Sequence, residues 1–353
     1  MHKRVKKLVL IGVWFGFTIL TGCSAPGNDQ VFLPIGDVRP PVLVAVNQVD
    51  SGLLELNFSE DVAIVADSFV FQPNEIQMNP SVEGKRIQVA FSPRLDPGTF
   101  CTLSGEAEDW AGNRLKFLIS FSGYNEHPAR LRLNEIQLGK NSSASNPHRD
   151  YIEFLVLESG NLGGITVEWA SSVKTYRYQF PAVDVRAGEC VVLHCAPEGI
   201  PVERDETGSD CGLSGGIDAS LNGRDFWTSV GGLPDSTGVI AVRLREKDLV
   251  CDGLFYADTD KAGALESKAF GGLPRLLADA NIWPFAGTAP AWEDAFLWKS
   301  STSKPLHRIE GVANGISAWF VGESGSQSPG ERAIREVSSK SAAKKEGKKK
   351  TSP

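Results

Sequence analysis

Residues 53–60 read Leu-Leu-Glu-Leu-Asn-Phe-Ser-Glu, and their alternation decides the fold. Successive side chains of an extended chain point to opposite sides, so Leu54, Leu56 and Phe58 share one face and Glu55, Asn57 and Ser59 the other. A strand apolar on one side needs a second sheet to cover it. On either side lie more runs of the same kind: VLVAVNQV (42–49), SFVFQ (68–72), KRIQVAFS (85–92), TFCTLSGEA (99–107) and RLKFLISFS (114–122). Each is short, rich in β-branched or aromatic residues and bounded by Asp, Asn, Gly or Pro, the spacing expected of a β-sandwich.

The linker GYNEHPAR (123–130) opens a second region of similar texture: RLNEIQL, DYIEFLVLE, GITVEW, TYRYQF, ECVVLHC, GVIAVRLR and LVCDGLFYAD. In 150–157 the parity places Ile152, Phe154 and Val156 toward a core and Tyr151, Glu153, Leu155 and Leu157 away from it. The sequence therefore predicts an all-β chain with two β-rich, sandwich-type regions in tandem, and the resemblances that follow imply that both are Ig-like.

Residues 40–122 resemble a bacterial Ig-like domain. The resemblance rests on Pro40-Pro41-Val42-Leu43, Phe58-Ser59-Glu60, Leu95-Asp96-Pro97-Gly98-Thr99 before Phe100-x-x-Leu103, and Asp109-x-Ala111-Gly112-Asn113. Pro97-Gly98 suits a tight turn, and Asp109 is placed to accept turn amides. Residues 131–331 resemble a lamin-tail domain. The landmarks are Leu133-Asn134-Glu135-Ile136, Asp150-x-Ile152-Glu153-Phe154, Ala187-Gly188-Glu189, then Val250, Asp252 and Tyr256, and finally His307-Arg308, Trp319 and Pro329-Gly330. Two stretches, Glu198 to Asp225 and Asp258 to Lys304, are longer than that compact fold needs. Both resemblances imply spacer, binding or positioning modules without an activity of their own.

At the N-terminus, HKRVKK (2–7) precedes the apolar run Leu8 to Leu20. As a helix that run reaches about 20 Å, short of the ~30 Å hydrocarbon core. The order is that of a secretion signal. Leu20-Thr21-Gly22-Cys23 resembles the lipobox of bacterial lipoproteins, which implies cleavage before Cys23 and a covalent diacylglycerol on its thiol. Two or three acyl chains anchor stably where one does not. The expected organisation is a signal peptide (1–22), a tether (23–39), the two sandwiches (40–122 and 131–331) and a disordered basic tail (332–353). The expected location is extracytoplasmic, on the cell membrane or outer membrane, and the membrane itself is the first expected partner.

Charge narrows the other partners. The chain has 36 Lys and Arg against 43 Asp and Glu. Removing residues 1–22, with four basic residues and no acid, leaves a net charge of −11. From Lys340 onward six Lys face one Glu, so the body before the tail carries −16. An acidic body argues against specific nucleic-acid binding, which needs a basic face. Past Cys23 five cysteines remain (Cys101, Cys190, Cys195, Cys211 and Cys251), with no CxxC among them. An odd number cannot all pair within one chain, and a Cys195–Cys211 bridge across the acidic loop is one option.

Three sets of residues invite a functional reading. Trp283, Phe285, Trp292, Phe296 and Trp298 lie within sixteen residues. Flat aromatic faces suit a protein or glycan partner in the envelope, peptidoglycan included; the alternative is a small core packed on the sandwich. Glu203, Asp205, Glu206 and Asp210 could gather around calcium, which takes six to eight oxygens, although their spacing is not that of an EF-hand. No other cofactor is expected. Glu135 and Glu153 could serve an unrecognised extracytoplasmic hydrolase but read more simply as strand residues. HExxH and P-loop patterns are lacking. The expectation is a lipid-anchored structural, adhesion or interaction protein, not an enzyme.

Overall fold

The computed structural model describes residues 36–139, 148–244, 249–261, 270–285, 287, 291–299 and 301–332. The signal segment, Cys23, most of the tether and the basic tail lie outside them.

Eight strands form the first sandwich: β1 (Leu43–Asp50), β2 (Leu53–Phe58), β3 (Ala63–Ile64), β4 (Val70–Gln72), β5 (Gln77–Glu83), β6 (Arg86–Ser92), β7 (Phe100–Glu108) and β8 (Arg114–Ser122). One sheet runs in the order β1-β2-β6-β5. In the other, β7 pairs β3 and β4 along one side and β8 along the other. Leu54, Leu56 and Phe58 turn inward as their alternation requires and pack with Ile87, Val89, Phe91 and Leu103.

The second sandwich contains β9 (Arg130–Gln137), β10 (Tyr151–Glu158), β11 (Gly160–Asn161), β12 (Ile165–Ala170), β13 (Thr175–Gln179), β14 (Asp184–Val185), β15 (Cys190–His194), β16 (Gly223–Trp227), β17 (Gly238–Leu244) and β18 (Leu249–Asp258). The short helix α1 (Leu273–Asp279), β19 (Phe296–Trp298), β20 (Leu306–Arg308) and β21 (Trp319–Val321) complete it. A six-stranded sheet, β16-β15-β10-β9-β20-β21, faces a five-stranded one, β13-β12-β17-β18-β19. Ile152, Phe154 and Val156 enter the core between them, as parity predicts. The chain is thus all-β among the described residues, apart from α1 and short 3-10 turns.

The two over-long stretches have a structural use. β15 pairs β16 in parallel, and β18 pairs β19 in parallel, whereas the other strand pairs are antiparallel. A parallel neighbour cannot be reached by a hairpin and needs a crossover of a dozen residues or more. Each long stretch supplies that crossover and returns one edge strand.

A buried ion pair ties the two sheets together. The Arg308 guanidinium on β20 lies 3.6 Å from the Asp252 carboxylate on β18 and 5.3 Å over the Trp319 ring. Asp252 also accepts the Leu133 amide at 2.8 Å and the Gly253 amide at 2.9 Å. Three landmarks far apart in sequence therefore meet at one point in the core.

The sandwiches touch through backbone. Gly98 has φ +73°, and a Cβ there would stand 2.2 Å from the Gly164 nitrogen. Gly163 approaches the Pro97 carbonyl as closely, 2.3 Å from a built Cβ. Gln179 Nε2 donates to the Gly98 carbonyl at 2.7 Å, and Asn125 Nδ2 to the Gly163 carbonyl at 2.7 Å. The Pro97-Gly98 turn is therefore a joint as well as a turn.

Candidate functional site

The strongest concentration of perturbed ionisable groups lies on the face of the six-stranded sheet turned away from the core. A register shift between β9 and β10 leaves Asn134 as an extra residue, with Leu133 opposite Phe154 and Glu135 opposite Glu153. The bulge brings the Asn134 side chain onto Glu153, to which its Nδ2 donates. Parity puts Glu135, Tyr151 and Glu153 on the same face, and the Tyr151 hydroxyl donates to Glu135.

That face is covered. Ser328 Oγ donates to Glu135 Oε2 at 2.8 Å, and the Gly330 amide donates to Glu153 Oε2. His307 on β20 stacks on Phe320 and places Nδ1 3.4 Å from Glu135 Oε2. Gln327 donates to Gln137 at 3.0 Å, which in turn donates to the Thr302 carbonyl at 2.7 Å. The ladder continues across β15, where His194 bonds Asp225 at 2.9 Å and stacks on Trp227 with centroids 3.9 Å apart.

Burial dominates the electrostatics. It raises the Glu135 carboxyl above its ordinary value, against the pull of the Tyr151 and Ser328 hydrogen bonds. Glu153 is raised well above the carboxylate range, first by burial and then by the neighbouring Glu135 charge. Burial holds the His307 imidazole down to about 4.

A carboxyl pair with raised pKa values is the equipment of a general acid. Here, however, both residues are 0% exposed and all four carboxyl oxygens accept internal hydrogen bonds. The arrangement fastens the segment 326–331 to β9 and β10 and leaves no approach for a substrate. The side of β10 that the sequence offered to solvent is therefore buried as well: Tyr151 and Glu153 are as covered as Ile152 and Phe154.

The acidic-loop carboxylates do not gather around a cation. Glu203 accepts the amides of Glu198, Gly199 and Ile200. Asp205 accepts from Trp227 and Asp210 from Gly212. Glu206, fully buried, accepts from Leu213, Ser214 and Asp225. Glu203 and Asp210 thus cap local turns, whereas Asp205 and Glu206 tie the loop to β16. The buried Arg224 supplies the positive charge, with Nε on Glu189 at 2.8 Å and Nη1 on the Glu206 and Gly208 carbonyls at 2.6 Å each. Beside it lies a polar cleft of about 620 Å³ that Arg186, Thr207, Ser209 and Cys211 help to line.

The aromatic cluster is core, which corrects its reading as a partner surface. Trp283, Phe296 and Trp298 are buried in the second sandwich, and Phe285 and Trp292 pack half-buried against it. Trp283 Nε1 donates to the Asp294 carbonyl at 2.7 Å and Trp298 Nε1 to the Ser236 carbonyl at 3.3 Å. A crossover must bury its own apolar surface, and α1 with β19 does so here. Asp109 caps its turn, accepting from Ala111 and Asn113 at 2.8 Å each. All five cysteines are free thiols, so the Cys195–Cys211 bridge does not form; Cys195 faces the core of the sandwich. Cys23 lies outside the described residues.

These features define an all-β double sandwich whose ionisable cluster is internal. Residues 129–341 match the family model TP_1001_2nd, described as a protein second domain, and the chain belongs to that family. An uncharacterized protein of Treponema pallidum (strain Nichols) is 33% identical over 173 residues. That match covers 48% of this chain and 42% of the relative, so the chain spans well under half the length of the relative it matches. Among solved structures it is similar to the N-terminal part of the bacterial S-layer protein SbsC: 14% identity, 62% of this chain, 43% of that one, TM-score 0.22. It is also similar to a DUF4876 family protein from Bacteroides thetaiotaomicron: 9% identity, 75% of this chain, 90% of that one, TM-score 0.26.

Proposed function

We propose that this chain is a lipid-anchored, extracytoplasmic envelope protein that works by binding and positioning rather than by catalysis. Acyl chains on Cys23 hold it at a membrane surface, and two β-sandwiches, Ig-like and lamin-tail-like, present their edges and loops to a protein partner. The anchoring half rests on the basic, apolar and Leu-Thr-Gly-Cys order of residues 2–23. Among the described residues no helix is long and apolar enough to cross a membrane. The observation that carries the non-catalytic half is the sealing of Glu135 and Glu153. The carboxyl pair best suited to acid–base work is spent on fastening the chain's closing segment.

Metabolic labelling with a fatty acid, followed by membrane fractionation, tests the anchor. The parent chain should carry label and sediment with membranes, and Cys23→Ser should lose both; label retained by Cys23→Ser would sink the reading. Crosslinking in intact cells tests the binding role, and recovery of no envelope neighbour would count against it.

A further inference from the structure

The first sandwich has four sheet edges, and three carry a feature that discourages another strand from adding. β1 is interrupted by two register irregularities, between Leu43 and Ala45 and between Gln48 and Asp50. β5 contains Pro80, which has no N–H to donate. The edge formed by β3 and β4 consists of strands two and three residues long. β8 has none of these devices. It runs nine residues without proline, in unbroken register with β7, its one strand partner among the described residues. A long regular edge is a template for a further strand.

The backbone groups on the open side can be assigned. The Gly123 amide donates to the Thr99 carbonyl at 2.8 Å, and the Asp109 amide to the Asn113 carbonyl at 3.1 Å. Odd-numbered positions along this strand thus turn their N–H and C=O toward β7. Alternation turns those of Arg114, Lys116, Leu118, Ser120 and Ser122 outward.

We propose that β8 is a self-association edge, to which a second copy of this chain adds its own β8 antiparallel. The occupant follows from the order of residues, Arg-Leu-Lys-Phe-Leu-Ile-Ser-Phe-Ser, which is complementary to itself about Leu118. With Leu118 opposite Leu118 of the second copy, Arg114 meets Ser122 and Lys116 meets Ser120. On the other face Leu115 meets Phe121 and Phe117 meets Ile119. No cation faces a cation, and each apolar residue of the inner face meets another. A slip of one residue would mix the two faces.

The side chains support the same pairing. Leu118 is 73% exposed in the middle of the strand. Leu115, Phe117, Ile119 and Phe121 are half-buried against the core and would gain cover. Beside β8, a cleft of about 460 Å³ lined by Val46, Leu54 and Phe121 leaves the core open on that side. Ser122 Oγ and Gln48 Nε2, which also line the cleft, are buried without a hydrogen-bond partner among the described residues. In the paired register the Arg114 guanidinium of the second copy arrives opposite Ser122. The inference stands on the fold of residues 43–122 and does not depend on the anchoring reading.

Native mass spectrometry of the full chain, released from mild detergent, should show a dimer. Leu118→Cys should give a disulfide-linked dimer on mild oxidation. Lys116→Cys alone should not, but mixed with Ser120→Cys it should. Leu118→Pro removes an outward N–H and leaves the β7 ladder intact, so it should yield a monomer with an unchanged circular dichroism spectrum. If that variant fails to fold, Leu118→Lys sets like charges face to face and should weaken association about tenfold or more. A parent chain that stays monomeric overturns the proposal, as does a dimer unaffected by Leu118→Lys or crosslinking that ignores the register. Protection of the β8 edge amides only after envelope extract is added would mean a foreign strand occupies the edge, and would overturn it equally.

Discussion

Glu135 and Glu153 stand opposite one another across β9 and β10, both fully buried, with Ser328 hydrogen-bonded to the first and Gly330 to the second. Two carboxyl groups so placed cannot both ionise cheaply, and the native state keeps a proton that the unfolded chain gives up.

Stability should therefore fall as pH rises. Glu153 titrates near ~4.3 when unfolded and well above its ordinary value when folded. From the unfolded value upward the native state binds more protons than the unfolded one, so each step up in pH costs stability. Glu153→Gln removes that group and keeps one acceptor oxygen, for either Asn134 or Gly330. Denaturant midpoints at pH 5 and pH 7 should differ less in the variant than in the parent; equal slopes would exclude Glu153 as the titrating group. Glu153→Ala strands two donors and should cost roughly 1–3 kcal/mol for each.

His307 acts in the opposite sense. Its folded pKa, about 4, lies below the unfolded value of about 6.5. Its contribution is complete above the unfolded value and is lost as pH falls through the folded one, on the order of 3 kcal/mol in all. His307→Gln should flatten the acid limb of the stability profile between pH 6.5 and 4. Urea titrations at those two pH values decide it, and an unaltered acid limb would reject the assignment.

Trp283 should matter to folding and not to recognition. It is 0% exposed and hydrogen-bonded through Nε1. Trp283→Ala should lower stability by about 3–5 kcal/mol. Thermal unfolding measures this, and a variant as stable as the parent would return the residue to the surface.

Gly98→Ala should loosen the joint between the sandwiches. The new methyl group would meet the Gly164 nitrogen at 2.2 Å, on a backbone with φ +73° that L side chains rarely adopt. Limited proteolysis should then cut the linker 123–130 faster than in the parent, with both sandwich cores still protected. Equal cleavage rates would mean that the joint tolerates a side chain.

Alternation made most of the strands legible. LLELNFSE and DYIEFLVL report their inward faces because side-chain parity is a local property of extended backbone. The buried outer face of β10 was not legible, since its cover comes from residues 326–331, nearly two hundred positions away. The acidic loop was ambiguous for a related reason. A carboxylate bound to a cation and one capping a turn have the same composition, and only the positions of the amides and of Arg224 separate them. The tryptophans left two readings open because an apolar crossover looks alike whether it packs on its own sheet or on a partner. His307 was legible only as a landmark beside Arg308, and Ser328 carried no signal of its own. Their association with Glu135 is a product of strand order.

By itself the sequence determined the all-β class, the inward parity of the strands, and the Pro97-Gly98 and Asp109 turns, because each depends on residues within a few positions of one another. Only the tertiary structure decided that two crossovers return parallel edge strands, that Asp252, Arg308 and Trp319 meet in the core, and that Glu135 and Glu153 share a sealed site. Those outcomes depend on which distant segment covers which face, and burial sets both the charge state of a carboxyl group and whether an aromatic ring meets solvent or core.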